Sequence, residues 1–597
     1  MGGELSRAAA TFSNRPSFNS PSRRPHAACG MVKISPTRLL GLLLLVATWV
    51  TVRGEKNPEA KTEVRIDFAT PPKGDAKPDG KVEAKTNAEP ILSVTAHTIS
   101  LNGKVLKYHA TAGYLLLKEE EGKPLIKGAP TPPATDEKKD KDDDKKPTDG
   151  LKPKAKVFFV AYTLDDVADP ATRPLTFCFN GGPGSASVWL HMAAMAPRRA
   201  ALTDDGEAPP PPYQLVDNES TWLDRTDLVF LDPISTGYSR TMPKEKPEQY
   251  HGLKEDIASV GDFIRLYTSR NARWLSPKIV LGESYGTTRA AGLSDYLQSR
   301  YGLYLNGIVL VSSVLSFQTL EFTPQNNDPY VGFLPAYTAT AWYHRKLPAD
   351  LQAKSLAEVS ALARAFAGGD YLLALARGDT LPAAEKARIA TELSRFTGLP
   401  AAYYLQRRLR VPDALFFNQL LRDENKVVGR LDSRFTGQRY EPGTDNYEYD
   451  PATEAVLGPL TAAFNDYVRR ELKFENDIPY EMFADVSPWN FGDAANGFPN
   501  TAEDLRKAMT RNPYLKIWVT CAYYDLATPF YAAENAVALM NLDPVARANL
   551  HFTYYEAGHM HYIHQPSRVK FKADFEAFLH DAVSQQPVHA AGRPSGK

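Results

Sequence analysis

The sequence is short of cysteine. Only three occur in 597 residues, and Cys29 lies upstream of the apolar run described below, which leaves Cys178 and Cys521. Each of these sits in an apolar, strand-like stretch. A disulfide framework is therefore excluded, and two buried free thiols are expected even in an oxidising compartment. Net charge is missing as well, because 70 basic residues balance 70 acidic ones. There is no basic face interleaved with aromatics, so nothing asks for a nucleic-acid partner. The apolar run from Leu39 to Val50 falls well short of the roughly 20 residues that a comfortable membrane span needs. No internal repeat appears. What is plentiful is aromatic: 29 Tyr and 27 Phe imply a large folded core.

Lys33 and Arg38 precede the Leu39–Val50 run. A positive segment followed by a short apolar one has the form of a signal peptide; an uncleaved anchor is the other reading of the same residues. Residues 31–54 are read as the signal, with Met31 as the true start and residues 1–30 as a non-native extension. Residues 55–90 are rich in Lys, Glu, Pro and Gly and read as a disordered linker. The expected location is secreted or periplasmic, with no stable membrane partner after cleavage.

From about residue 91 strand patterns begin: "SVTAHTISLNG", "KVLKYHATAGYLLL" and "AKVFFVAYTL". An unbroken run of mixed charge, Asp136–Lys146, marks a solvated, disordered insertion at about 119–154. From Pro174 short apolar strands alternate with helical patterns. "PLTFCFN", "DLVFLD", "KIVLG" and "GIVLVSS" are continuous runs that stop at Asn, Asp, Gly or Ser, as in a sheet buried on both faces. Ile257, Val260, Ile264 and Tyr267 recur at helical spacing between two of them. Residues 91–313 are thus the first part of an α/β domain with a mostly parallel sheet. Residues 314–512 are mostly helical in pattern and read as an insertion. Strand signals return in "LKIWVTCAYYD" and "LHFTYYEAG", so 513–584 complete the domain, and 585–597 read as a disordered tail.

The chemistry centres on "IVLGESYGTTRA". Gly282-Glu283-Ser284-Tyr285-Gly286 is a G-x-S-x-G pattern between a strand and an apolar helical segment. That context suits a strained strand–nucleophile–helix turn with Ser284 exposed at its tip; a plain helix start with a capping serine is the bland alternative. A serine nucleophile needs a base and a group that orients the base. Asp525 and His559 each follow a strand, in the order Ser, acid, His that an α/β-hydrolase fold requires. His559, His561 and His564 also admit a metal-binding reading, which no well-placed acidic or Cys partner supports. "FCFNGGPGSASVWL" supplies a glycine turn straight after a strand. Its Gly182 N–H and the N–H of Tyr285 are the expected oxyanion donors.

These segments resemble the serine carboxypeptidases, in the manner of a bacterial-type branch (the peptidase S10 group). The resemblance rests on N-G-G-P-G at Asn180–Gly184, G-E-S-Y-G at 282–286, "LDPISTGYS" at 231–239, "NESTW" at 218–222 and "AGHM" at 557–560. It implies that the helical insertion is a lid and that Asn180 and Glu283 bind a peptide's terminal carboxylate. Two carboxylates repel, so Glu283 must be protonated to donate a hydrogen bond, and peptides should bind more tightly at acidic pH. Three positions depart from the family pattern. Ala194 stands where a second acidic partner belongs, and Arg198 or Arg199 either replaces that contact or makes a surface salt bridge. Ser185 stands where a Cys is usual. The "LDPISTGYS" segment is one residue short.

The expected activity is release of C-terminal residues from peptides or proteins through an acyl-enzyme on Ser284, with no cofactor and no metal. An esterase or acyltransferase on the same machinery is the alternative, and a non-catalytic binding protein is a third. "YVGFLPAYTATAWY" at 330–343 either lines a side-chain pocket or is core.

Overall fold

Continuous apolar strands need cover on both faces, and the chain supplies it. The computed structural model describes residues 91–120, 151–494 and 497–584. Three long strands come first: β1 (Leu92–Leu101), β2 (Lys104–Glu120) and β3 (Leu151–Leu164). They pair antiparallel in sequence order. Along β1 the exposure alternates residue by residue, as expected for a strand with one wet face. Next come β4 (Leu175–Phe179), β5 (Asp227–Leu231), the helix α1 (Leu253–Arg270), β6 (Lys278–Ser284), α2 (Tyr285–Tyr301) and β7 (Gly307–Ser313).

The sheet order is β1-β2-β3-β5-β4-β6-β7, continued by two strands from the far side of the insertion. β4, β5, β6 and β7 run parallel. Ile279, Val280 and Leu281 of β6 are fully buried, which explains why this run shows no polar alternation. Ile257, Val260, Ile264 and Tyr267 of α1 enter the same core as Val280 and Phe177. Gly302 closes α2 in the left-handed conformation at φ +62°, where a Cβ would be unfavourable.

The chain then leaves the sheet. Residues 314–512 hold α3 (Asp328–Tyr343), a series of shorter helices, a two-stranded ribbon (Lys426–Val428 with Thr436–Gln438) and α4 (Pro451–Arg470). Asp450 caps α4 by accepting from the Ala452 N–H, and Pro451 sits at its first turn. The helical pattern fails over residues 471–500, which are largely irregular among the described residues. This stretch crosses the sheet's carboxyl edge, bridging Phe483 to Ser185, Glu481 to Gly237 and Asn490 to Gly252. Its Pro-, Asn- and Gly-bearing sequence suits that path.

The chain returns as β8 (Lys516–Ala522), α5 (Phe530–Ala538), β9 (Leu550–Tyr555) and α6 (Gln565–Val583). β8 adds parallel to β7, and β9 parallel to β8. This is an α/β-hydrolase sheet, mostly parallel, with its carboxyl edge under the insertion. Cys178 and Cys521 are both buried and unbridged. β2 and β3 stay paired out to Glu120 and Leu151, so these strands reach further into the expected 119–154 insertion than its charge pattern indicates. The expected extension, signal, linker and tail lie outside the described residues.

Candidate active site

β6 ends on Ser284, whose backbone stands at φ +61°, ψ −130° before the chain turns into α2. A left-handed φ is costly for any residue with a Cβ, so the surroundings must hold it. The flanking glycines permit the turn. A Cβ on Gly282 would fall 2.0 Å from the Gly286 carbonyl oxygen, and one on Gly286 would fall 2.9 Å from that of Phe179. The Ser284 hydroxyl does not cap the helix. It stands between a strand's carboxyl end and a helix's amino end, where a developing negative charge is favoured.

Asp525 and His559 lie just beyond β8 and β9, on the same edge. Asp525 is fully buried. Its Oδ1 accepts from the N–H groups of Ala527 at 2.8 Å and Thr528 at 2.9 Å. Its Oδ2 lies 2.9 Å from His559 Nδ1 and 2.8 Å from the Thr528 hydroxyl. Burial works against charge on His559. The Asp525 carboxylate outweighs it by charge and hydrogen bond, Glu283 adds to the effect, and the imidazole pKa is raised above its ordinary value. With Nδ1–H turned to Asp525, Nε2 keeps its lone pair for a hydroxyl proton. Ser313 pairs with Ser284 across β6 and β7, and Ser312 Oγ donates to the His559 carbonyl at 2.6 Å. Neighbouring serines of β7 thus tie the two loops to adjacent points of the edge.

β4 runs straight into the turn Asn180–Gly184. A Cβ on Gly181 would fall 2.4 Å from the Tyr285 nitrogen and 2.5 Å from that of Gly286. Gly182 and Gly184 adopt φ +102° and +99°, which favour glycine. As the first residue of α2, Tyr285 has an N–H with no intrahelical partner. The segments bearing the two expected oxyanion donors are therefore packed backbone against backbone. The contact itself is made by Gly181, which the sequence pattern does not distinguish from its neighbour.

Beside Ser284, Asn180 and Glu283 are both buried. The Tyr562 hydroxyl donates to Glu283 Oε2 at 2.6 Å. The Asn180 amide stands beside the Glu283 carboxyl and draws its pKa down, and the Asn180 Oδ1 accepts from the Leu190 N–H at 3.1 Å. Burial pushes the Glu283 pKa up to about 7, against the opposing pull of His559, Tyr562 and Asn180. Tyr562 is a member of this group that sequence reasoning missed, since no spacing rule singles out a tyrosine in "AGHMHYIH". Underneath, Arg289 Nη1 donates to the Asn180 carbonyl at 2.7 Å, and Arg289 Nε donates to Asp256 Oδ2 at 2.8 Å. The Tyr285 hydroxyl donates to that same Asp256 oxygen at 3.1 Å.

Other candidates go elsewhere. Ala194 is buried, and its carbonyl accepts from Asn218 Nδ2 at 3.0 Å. Arg198 pairs with Asp217 and Glu471, and Arg199 with Glu219, which is the salt-bridge reading of the two arginines. His561 lies 2.9 Å from the Thr520 hydroxyl and stacks on Tyr555, while His564 bonds Ser567. Among the described residues no group of three His, Cys, Asp or Glu side chains has the arrangement of a metal site. Most of Tyr330–Tyr343 is core within α3. A cleft of about 500 Å³ between α3 and α5, lined by Asp328, Val331, Tyr531 and Asn535, holds none of the residues around Ser284.

A parallel sheet with a serine at its strand–helix turn and an Asp–His pair on the same edge defines an α/β-hydrolase. Residues 149–316 match the family model described as serine carboxypeptidase. The pheromone-processing carboxypeptidase Kex1 of Saccharomyces cerevisiae is 33% identical over 135 residues, 21% of this chain and 17% of Kex1. Serine carboxypeptidase-like 45 of Arabidopsis thaliana is 24% identical over 166 residues, 26% of this chain and 33% of that protein. The matched stretches thus span a third or less of these relatives' own length. The crystal structure of Kex1(delta)p, a prohormone-processing carboxypeptidase from Saccharomyces cerevisiae, superposes with a TM-score of 0.45 and 14% identity, covering 79% of this chain and 91% of that one.

Proposed function

We propose that this protein is a secreted or periplasmic serine carboxypeptidase that removes C-terminal residues from peptides or proteins. Ser284 attacks the scissile carbonyl, His559 takes its proton, and Asp525 holds the imidazole and stabilises its charged form. The N–H groups of Gly182 and Tyr285 receive the oxyanion. His559 then returns the proton to the leaving amine, and water repeats the cycle on the acyl-enzyme. Residues 314–512 cover the carboxyl edge as a lid insertion between two parts of one hydrolase domain, 91–313 and 513–584. No cofactor or metal is called for in this chemistry.

One observation carries the exopeptidase reading. A buried glutamic acid, with its pKa near 7, sits next to the nucleophile, accepts from the Tyr562 hydroxyl and stands beside Asn180. As the acid it donates to a carboxylate; as the anion it repels one. A simple esterase has no use for such a group. The test compares a peptide with its C-terminal amide, using wild type and Ser284→Ala. Cleavage of the acid well ahead of the amide, abolished in the variant, supports the reading. Equal rates on acid and amide reject carboxylate recognition, and undiminished cleavage by Ser284→Ala rejects the nucleophile.

A further inference from the structure

Four consecutive residues of the insertion meet both loops that carry Asp525 and His559. The Arg430 carbonyl accepts from the Leu526 N–H at 3.1 Å, and the Ser433 N–H donates to the Tyr524 carbonyl at 3.0 Å. These two bonds flank Asp525 on either side. The Leu431 carbonyl accepts from the His559 N–H at 2.6 Å. The Asp432 carboxylate accepts from the Gly558 N–H at 2.8 Å. Each loop is therefore held at two adjacent points by one short stretch of chain.

We infer that Arg430–Ser433 is a clamp that sets the Asp525–His559 geometry, with Asp432 as its positioning residue. The clamp is itself anchored. Asp432 is buried and paired with Arg434 at 2.7 Å, so its carboxylate cannot swing away to water. Asp450 accepts from the N–H groups of Arg430 and Leu431, each at 3.1 Å, and ties the segment to the start of α4. The Ser433 hydroxyl lies 2.6 Å from that of Thr340, and its carbonyl 2.6 Å from His344 Nε2, both on or at the end of α3. Gly558 gains a reason from this. A Cβ there would fall 2.3 Å from the Asp432 Cβ, so only glycine lets the clamp approach the histidine loop. On this view the insertion positions the catalytic pair as well as covering it.

Positioning has a kinetic cost when lost, since misplacing a reacting group by about 1 Å costs on the order of 100-fold. The inference rests on the proposed roles of Asp525 and His559, and the two fail separately. A fluorophosphonate probe on the wild type tests those roles, and the ratio of variant to wild type tests the clamp. Asp432→Ala removes the carboxylate. Gly558→Ala drives a methyl into it and leaves every charge in place. Both are expected to slow labelling of Ser284 by roughly 10- to 100-fold, with KM for peptide acids little changed. The acid limb of the labelling rate reports the His559 pKa, which Asp525, Glu283 and Arg430 bias, together with the neighbouring His561. Weakening the His559–Asp525 bond should move that limb to lower pH in both variants. Wild-type labelling rates and an unmoved limb in either folded variant overturn the inference. A measurement without variants guards against misfolding. Amide exchange of Gly558 and His559 should be as slow as that of Leu526 and Ser433. Fast exchange at 558–559 beside protected neighbours overturns the clamp equally.

Discussion

A carboxyl group can welcome a carboxylate only as the acid. Glu283 is buried, its pKa stands near 7, and the Tyr562 hydroxyl holds one of its carboxyl oxygens. Its protonated form is populated below pH 7 and lost above it. KM for a peptide acid should therefore be low in acid and rise as pH passes through about 7, while KM for the matching amide stays flat. Glu283→Gln, which donates at every pH, should flatten the profile for the acid; steady-state kinetics across pH 5–9 on both substrates is the check. Tyr562→Phe removes one hydrogen bond to this group. That bond pulls the Glu283 pKa down, so without it the acid form should persist to higher pH, and the rise in KM for peptide acids should move up in pH with kcat nearly unchanged. Glu283 was legible because it precedes the serine in a recognisable motif. Tyr562 was not, because its partner lies 279 positions away in the chain.

At the scale of elements, the site is made by strand ends. β4, β6, β8 and β9 each stop at one edge and hand over a turn, and each turn carries one of the residues proposed to act. Where those strands stop could be read in advance. Apolar runs buried on both faces are continuous, and the polar or glycine residue that ends each run stands out sharply. The contact between two such turns could not. Gly181 and Gly182 look alike in "NGGPG", yet Gly181 is the one packed on the Tyr285 and Gly286 nitrogens. Gly181→Ala should push the glycine turn off the helix start and spoil the proposed oxyanion hole. Loss of one oxyanion donor typically costs about 100- to 1,000-fold in kcat. Burst kinetics with an activated ester would read that loss, expected with an unchanged far-ultraviolet spectrum. The irregular stretch 471–500 escaped for a related reason. Its residues bridge Ser185, Gly237 and Asn490's partner Gly252 one at a time, and isolated bridges leave no periodic pattern in the sequence.

Across the whole molecule, distant pieces share one buried ion pair. Arg289 of α2 meets Asp256 of α1, and the same arginine holds the Asn180 carbonyl at the end of β4. Breaking such a pair leaves a buried charge without a partner and costs about 3–5 kcal/mol. Arg289→Met and Asp256→Ala should each lower the denaturation midpoint markedly, and the double variant should lose less than the sum of the two; a double-mutant cycle by chemical denaturation measures this. The clamp at 430–433 has a consequence in time. Ser284 and its glycine turn leave the ribosome first, the clamp follows, and Asp525 and His559 come last. If Ser284 and His559 have the proposed roles, a growing chain carries an inert serine until the whole insertion has been made, and the base becomes useful only when its loop meets the clamp. Such an order would delay hydrolytic power until most of the protein around it can fold.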